Sequence, residues 1–329
     1  NCSRFFIATF RSYTTVHRYI CAIICIYGIF ANSIHFHILT RKDMRSYAVN
    51  GILSVIAVND AVIMTSYLIY IFRFRIFDND GYKYWWLVFL LTHVTLSISL
   101  HTVELYLTVI VAYIRWMALE RLDTKWLRTK LFFSVFGVIL TLSIPTLLVH
   151  KIVPVENHLD TSNTTVVLYT VVLDSHATEH SCRLFKATLW LTGIFFKVIP
   201  CILILWFTIA LMCRLNEKTK ARAYLLGNRT QKDRTTAMLV TMLTVFLCTE
   251  LPQGGLAILN ALYTADVSNY IYTNVGEVMD LLSLINCNVG FILYSCMSSR
   301  YRSTFKETIL NPVYSILSSS FSKTLTTRR

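Results

Sequence analysis

The 329-residue chain is 55% hydrophobic and only 15% charged, with a mean hydropathy of +0.54. Its length alone suggests two or three soluble domains, and this composition excludes them in favour of a membrane protein. The net charge of +13 follows the connections between apolar runs and suits anionic lipid headgroups, so it gives little support to a nucleic-acid partner.

Apolar runs of about 20 residues or more, each able to cross a hydrocarbon core as a helix, recur seven times: near 19–39, 48–72, 85–116, 131–150, 187–213, 236–263 and 270–297. The expected fold is an all-α membrane protein, a seven-transmembrane helix bundle with a short cytoplasmic amphipathic helix. Residues 1–18 form an N-terminal stretch, 19–297 the membrane domain and 298–329 a tail. The first run is too long for a signal peptide and meets the basic stretch TRKDMRS. The chain starts at Asn1 rather than at Met, which leaves a preceding segment open. The second run carries Asn59 and Asp60, and the third His93, His101 and Glu104. The connection 151–186 contains the β-prone TTVVLYTVVL and predicts a hairpin. Pro145, Pro200 and Pro252 each remove a backbone hydrogen bond inside a long apolar run, which predicts kinks. After the seventh run, Tyr301, Phe305 and Ile309 share one helical face beside Arg302 and Lys306, as in an interfacial helix. The Ser/Thr-rich end offers phosphorylation acceptors.

Lys and Arg set the orientation. About 21 fall on the side of the connections that follow odd-numbered runs and about 9 on the other, which places the N-terminus outside. The sequons at Asn1 and Asn163 then face the glycosylating compartment, and the one at Asn228 does not. Of the nine cysteines only Cys2 and Cys182 face the oxidising side, so a disulfide formed there can join only these two or one of them to another chain. The remaining cysteines read as packing residues, and no zinc spacing is present.

Ionisable groups inside a bilayer face the bundle interior or a water-filled cavity, which makes them the informative residues. They are Asp60, Glu104, Glu250, Glu277, Asp280, His93, His101 and Lys197. Glu277 and Asp280 lie one turn apart near the outer end of the seventh run, and Glu250 and Lys197 lie deeper. A desolvated carboxylate binds guanidinium in a directed, two-pronged way. Glu250, Gln253, Glu277, Asp280, His93 and His101 are accordingly candidate contacts for a cationic ligand. Two readings of Glu250 stay open: it meets the ligand, or it pairs with Lys197. Asp60 and Asn59, with Asn32, Asn286 and Asn288, form either a sodium site or a packing network. Nearby Glu104 bears on both, because two close carboxylates do not both ionise in a low dielectric.

Several stretches resemble rhodopsin-like (class A) G-protein-coupled receptors. GIFANS places Asn32, SVIAVND places Asp60, LTVIVAYIRWMAL places Arg115 and Trp116, and FFKVIPC places Pro200. CTELPQG places Glu250 and Pro252, and NCNVGFILY places Asn286 and Tyr294. TRKDMRS, FKVIPC, the run into LPQG and the seventh run together resemble the invertebrate, nematode-type myosuppressin and FMRFamide-related receptors. That resemblance implies a plasma-membrane, multi-pass receptor rather than an enzyme. Its ligand would be an amidated, RFamide-like neuropeptide and its partner a heterotrimeric G protein, with arrestin and kinase acting at the tail. Asp60, Asn32, Arg115, Trp116, Asn286, Tyr294, Pro200 and Pro252 take the activation and coupling roles. The sequence departs from the pattern at Ile114, Trp116, Glu104, Leu90 and Gly290. A transporter or channel using the carboxylates as a cation or proton path is the alternative. The absence of internal repeats weighs against it.

Overall fold

The computed structural model describes residues 2–77, 82–117, 125–159, 165–226, 234–263, 273–315 and 318, with side chains of the first helix described from Tyr13 onward. Helix α1 runs Cys2–Leu39, α2 Lys42–Arg45, α3 Ala48–Tyr70, α4 Tyr84–Met117 and α5 Lys125–Leu148. Strands β1 (His150–Leu159) and β2 (Thr165–Leu173) follow. Then come α6 (Ser175–Trp190), α7 (Ile199–Leu226), α8 (Arg234–Leu262), α9 (Thr273–Met297) and α10 (Ser299–Phe305).

Among the described residues six helices are long and apolar enough to cross a membrane, and Phe133–Leu148 in α5 is a shorter apolar seventh. Lys125, Arg128 and Lys130 precede this apolar part of α5. In hydrocarbon every backbone group must be satisfied within the segment, which is why these runs are helical. The hydroxyls they contain follow the same rule: Ser33, Thr65, Thr141 and Thr208 each donate to the carbonyl four residues back, at 2.6–2.8 Å. Large apolar side chains such as Ile23, Phe30, Phe133 and Trp206 point outward, fully consistent with lipid around the bundle.

The N-terminal stretch expected over 1–18 is helical from Cys2, continuous with the first membrane helix in α1. The sites expected at Asn1 and Asn163 lie outside the described residues, as does the side chain of Cys2 and hence the Cys2–Cys182 pairing. The expected hairpin is present: β1 and β2 pair antiparallel, His150 opposite Leu173. Tyr169 N–H donates to Tyr82 O at 3.0 Å, tying the hairpin to the connection between α3 and α4. Asp174 caps α6 by accepting from His176 N–H at 3.0 Å, a bond that holds its carboxyl below the usual carboxylate range.

Pro145 and Pro252 lie within α5 and α8. Pro200 is the second residue of α7, just after a π-helical stretch, Leu191–Val198, that joins α6 to α7. A proline has no N–H to offer, so in π register the carbonyl of Phe195 loses its partner five residues on. Tyr106 of α4 supplies the missing bond, its hydroxyl donating to Phe195 O at 2.8 Å. The widened turn and its cross-helix support face the same interior as Lys197.

Three apolar cores hold the helices together. One joins α1, α3 and α9 through Cys21, Cys25, Met64 and Leu284. A second joins α4, α7 and α8 through Leu105, Ile204 and Phe246, and the largest fills the end of the bundle away from the hairpin. Lipid is as apolar as these side chains, so close approach and interhelical polar contacts supply the specificity. Gly28 shows the first: a Cβ there would overlap the Met64 thioether and come within 2.8 Å of Asn288 Oδ1. Fully buried Tyr301 shows the second, its hydroxyl 3.0 Å from His35 Nδ1. Tyr301 and Phe305 of the expected apolar face pack on the bundle, Ile309 lies in the π-helical turn Lys306–Leu310 that follows, and Ser298 caps α10 at Tyr301 N–H. Gly290 lies under the same imidazole, where a Cβ would sit 3.7 Å from His35 Nε2, in ordinary van der Waals contact.

Candidate functional site

An inner cavity of about 220 Å³ opens between α3, α4, the π-helical stretch, α8 and α9, with apolar walls that include Ile98, Phe196 and Leu256. Polar groups enter from three directions: His101 from α4, Lys197 from the π-helical stretch, and Gln253, Asp280 and Ser283 from α8 and α9. An outer cavity of about 220 Å³, toward the hairpin side, is lined by His17, Arg18, Tyr70, Arg75 and Glu277. Tyr67 and Asp280 line both, so they form the waist where the two cavities meet.

Glu250 is not in either wall. It has no exposed surface, and both of its oxygens are engaged. Lys197 Nζ donates to Oε2 at 2.7 Å; His101 Nε2 lies 2.8 Å from Oε1, and Asn286 Nδ2 donates to that oxygen at 3.4 Å. As a ligand contact Glu250 is therefore corrected: both cations reach it from inside the protein and leave it no face toward a ligand. The network continues on either side. Lys197 also donates to Gln253 Oε1 at 3.0 Å, and Gln253 Nε2 donates to Ser283 Oγ at 2.8 Å. His101 Nδ1 lies 3.3 Å from Glu104 Oε2. Taken out of water, such ions are retained only with charge and hydrogen-bond partners on every side, which this chain of contacts provides.

The other acids differ. Glu277 pairs with Arg75 of the π-helical turn Ile71–Ile76, a partner that charge counting assigns to a loop. Asp280 is exposed at the waist, and Tyr67 donates to its Oδ2 at 3.2 Å. It has hydrogen-bonding capacity left and no ion pair among the described residues. His93 lines neither cavity: it is buried, 3.1 Å from Ser66 Oγ, and stacked on Tyr70 and Phe89. Only His101 of the two histidines reaches the ligand space.

At the far end of α4, Arg115 is half-buried and Trp116 is packed on. The Arg214 guanidinium of α7 sits 4.5 Å from its ring centre, and Tyr113 and Phe207 are tilted against the ring at 6.2 and 6.1 Å between centres. Tyr294 of α9 is buried and donates to Asn50 Oδ1 at 3.5 Å, while Asn32 donates to Cys287 O at 2.9 Å. Arg75, Tyr67, Ser283, Tyr106 and Arg214 were not singled out from the sequence. For Arg75 a signal existed in FRFRIF, a cation enclosed by apolar residues; for the others a lone polar residue in a helix carries none.

A bundle of this kind, with a polar cavity open toward one side and an Arg-Trp pair toward the other, is the architecture of a transmembrane receptor. Residues 19–311 match the family described as serpentine type 7TM GPCR chemoreceptor Srw. The chain belongs to that family of G-protein-coupled receptors. It is also 30% identical to the Caenorhabditis elegans G-protein coupled receptor dmsr-1 over 353 residues, covering 91% of this chain and 69% of that protein. The receptor is thus a multi-pass membrane protein that answers a ligand and acts through a heterotrimeric G protein.

Proposed function

We propose that this receptor lies in the plasma membrane with its N-terminus outside and binds a short amidated peptide of the RFamide type. The observation that carries this reading is the inequality of the acids. Glu250 is closed by Lys197 and His101, Glu277 is held by Arg75, and Asp280 stands open where the two cavities meet. A peptide guanidinium at Asp280 makes a charge-assisted bond in a partly desolvated site. The adjoining aromatic side chain enters the apolar inner cavity, and the terminal carboxamide meets Lys197 and Gln253. Pockets for whole drug-sized ligands run to roughly 300–1,000 Å³, so the inner cavity takes the peptide's end and the rest stays in the outer cavity. The class A and myosuppressin-type resemblance supports the same ligand class. Binding shifts the bundle only by favouring one arrangement, and the end of α4 near Arg115 and Trp116 then meets the G protein. Kinase and arrestin would act at the Ser/Thr-rich tail.

A panel of amidated peptides, read by G-protein activation and by ion current in the same cells, tests the reading. G-protein activation by an Arg-Phe-amide peptide is expected; current without it would leave a channel instead. Asp280→Asn should weaken the Arg peptide far more than its citrulline analogue, and equal losses would remove Asp280 from this role.

A further inference from the structure

Around Asp60, where the sequence leaves a sodium site or a packing network open, the structure adds a thiol to the oxygens. Asp60 of α3, Glu104 of α4 and Cys287 of α9 bring two carboxylates and a thiol within 4.8 Å of one another, all three residues buried. Sodium is a hard, singly charged ion served by neutral and anionic oxygens. It has no use for sulfur. We propose that the three residues instead form a site for a divalent, thiolate-accepting metal ion of the zinc type, lying beneath the inner cavity.

Two further observations point to a ligand rather than to mere packing. Asp60 Oδ1 is buried without a hydrogen bond in a residue only 4% exposed, and Glu104, 2% exposed, meets only His101 Nδ1, at 3.3 Å from its Oε2. Orphaned buried carboxylate oxygens are costly, and a cation satisfies them. Cys287 also lines the inner cavity, so an ion has a route in. Around a tetrahedral ion with bonds of about 2.0–2.3 Å, ligand atoms sit roughly 3.3–3.8 Å apart. The three donors need to close by about 1 Å, with water as a fourth ligand. Asn32, donating to Cys287 O at 2.9 Å, steadies that turn of α9. Because the ligands come from three different helices, the ion would tie α3, α4 and α9 together and favour the arrangement in which they are this close.

The test uses the full-length receptor, purified in lipid nanodiscs and titrated with Zn²⁺ against a fluorescent chelator, together with the absorption spectrum after Co²⁺ loading. One ion per receptor is expected, with a sulfur-to-cobalt charge-transfer band. Cys287→Ser should abolish the band and weaken binding at least about tenfold. Glu104→Gln should weaken Zn²⁺ binding but keep the band, so it tests the site even where Cys287→Ser fails to fold. Cys296→Ser, at an exposed cysteine, should change neither. Absence of stoichiometric Zn²⁺ binding overturns the proposal, as does thermal stabilisation by Na⁺ alone. Zn²⁺ binding indifferent to both Cys287 and Glu104 overturns it equally. None of these outcomes depends on the peptide ligand.

Discussion

Glu250 and Asp280 are carboxylates on neighbouring helices, each within one residue layer of the same cavity, yet they face opposite situations. Glu250 has Lys197, His101 and Asn286 on its two oxygens and no surface. Asp280 has one neutral donor, Tyr67, and an open side. The lesson is that an intramembrane acid announces a partner, not the kind of partner. Where the protein supplies the cation, the acid becomes part of the frame; where it does not, the acid is left for a ligand.

The comparison breaks most visibly at Lys197. Removing one member of a buried pair strands the other, at a cost of about 3–5 kcal/mol. Glu250→Gln and Lys197→Met alone should each sharply reduce thermal stability and surface expression, and the double variant should recover much of the loss; a double no better than the singles would show that the pair is not coupled. Asp280→Asn should behave in the opposite way. Stability should be nearly unchanged, while affinity for an Arg-containing peptide falls by about 1.5–3 kcal/mol, the worth of a hydrogen bond to a charged group, as measured by peptide competition.

Tyr106→Phe sharpens the frame side of the comparison. It leaves the Phe195 carbonyl without its donor beside Pro200 and should cost about 1–3 kcal/mol of stability, seen as a lower melting temperature with peptide selectivity retained. Arg75→Gln should have the smallest effect on stability, below about 1 kcal/mol for a partly exposed pair. It frees Glu277, and a few-fold gain in affinity for the Arg peptide is expected. A loss instead would show that Arg75 itself contacts the ligand.

The seven crossings and the hairpin were legible because each is a property of one continuous stretch: apolar length for the helices, β-branched density for 165–173. The amphipathic end was legible from the spacing of Tyr301, Phe305 and Ile309. The site was only half legible. Every acid in it could be picked out as an intramembrane charge, and Lys197 could be named as one possible partner for Glu250. His101 as the second partner, and Arg75 as the partner of Glu277, could not. Arg75 lies 202 positions from Glu277 in the chain, and charge counting placed it among the connections. His93 and His101 look alike in the third run, eight residues apart, but one is stacked among Tyr70 and Phe89 and the other reaches the ion network. Cys287 read as a packing residue until the fold set it beside Asp60 and Glu104.

The sequence by itself determined that this chain crosses a membrane seven times, which residues are too costly to bury without a reason, and that the pattern fits a G-protein-coupled receptor. Those follow from local quantities, the transfer free energy of a run of side chains and the cost of a charge in hydrocarbon. Only the tertiary structure decided which charge answers which. Pairing depends on distances of 3 Å between residues tens to hundreds of positions apart, and nothing in the local cost of burying Glu250 distinguishes it from Asp280.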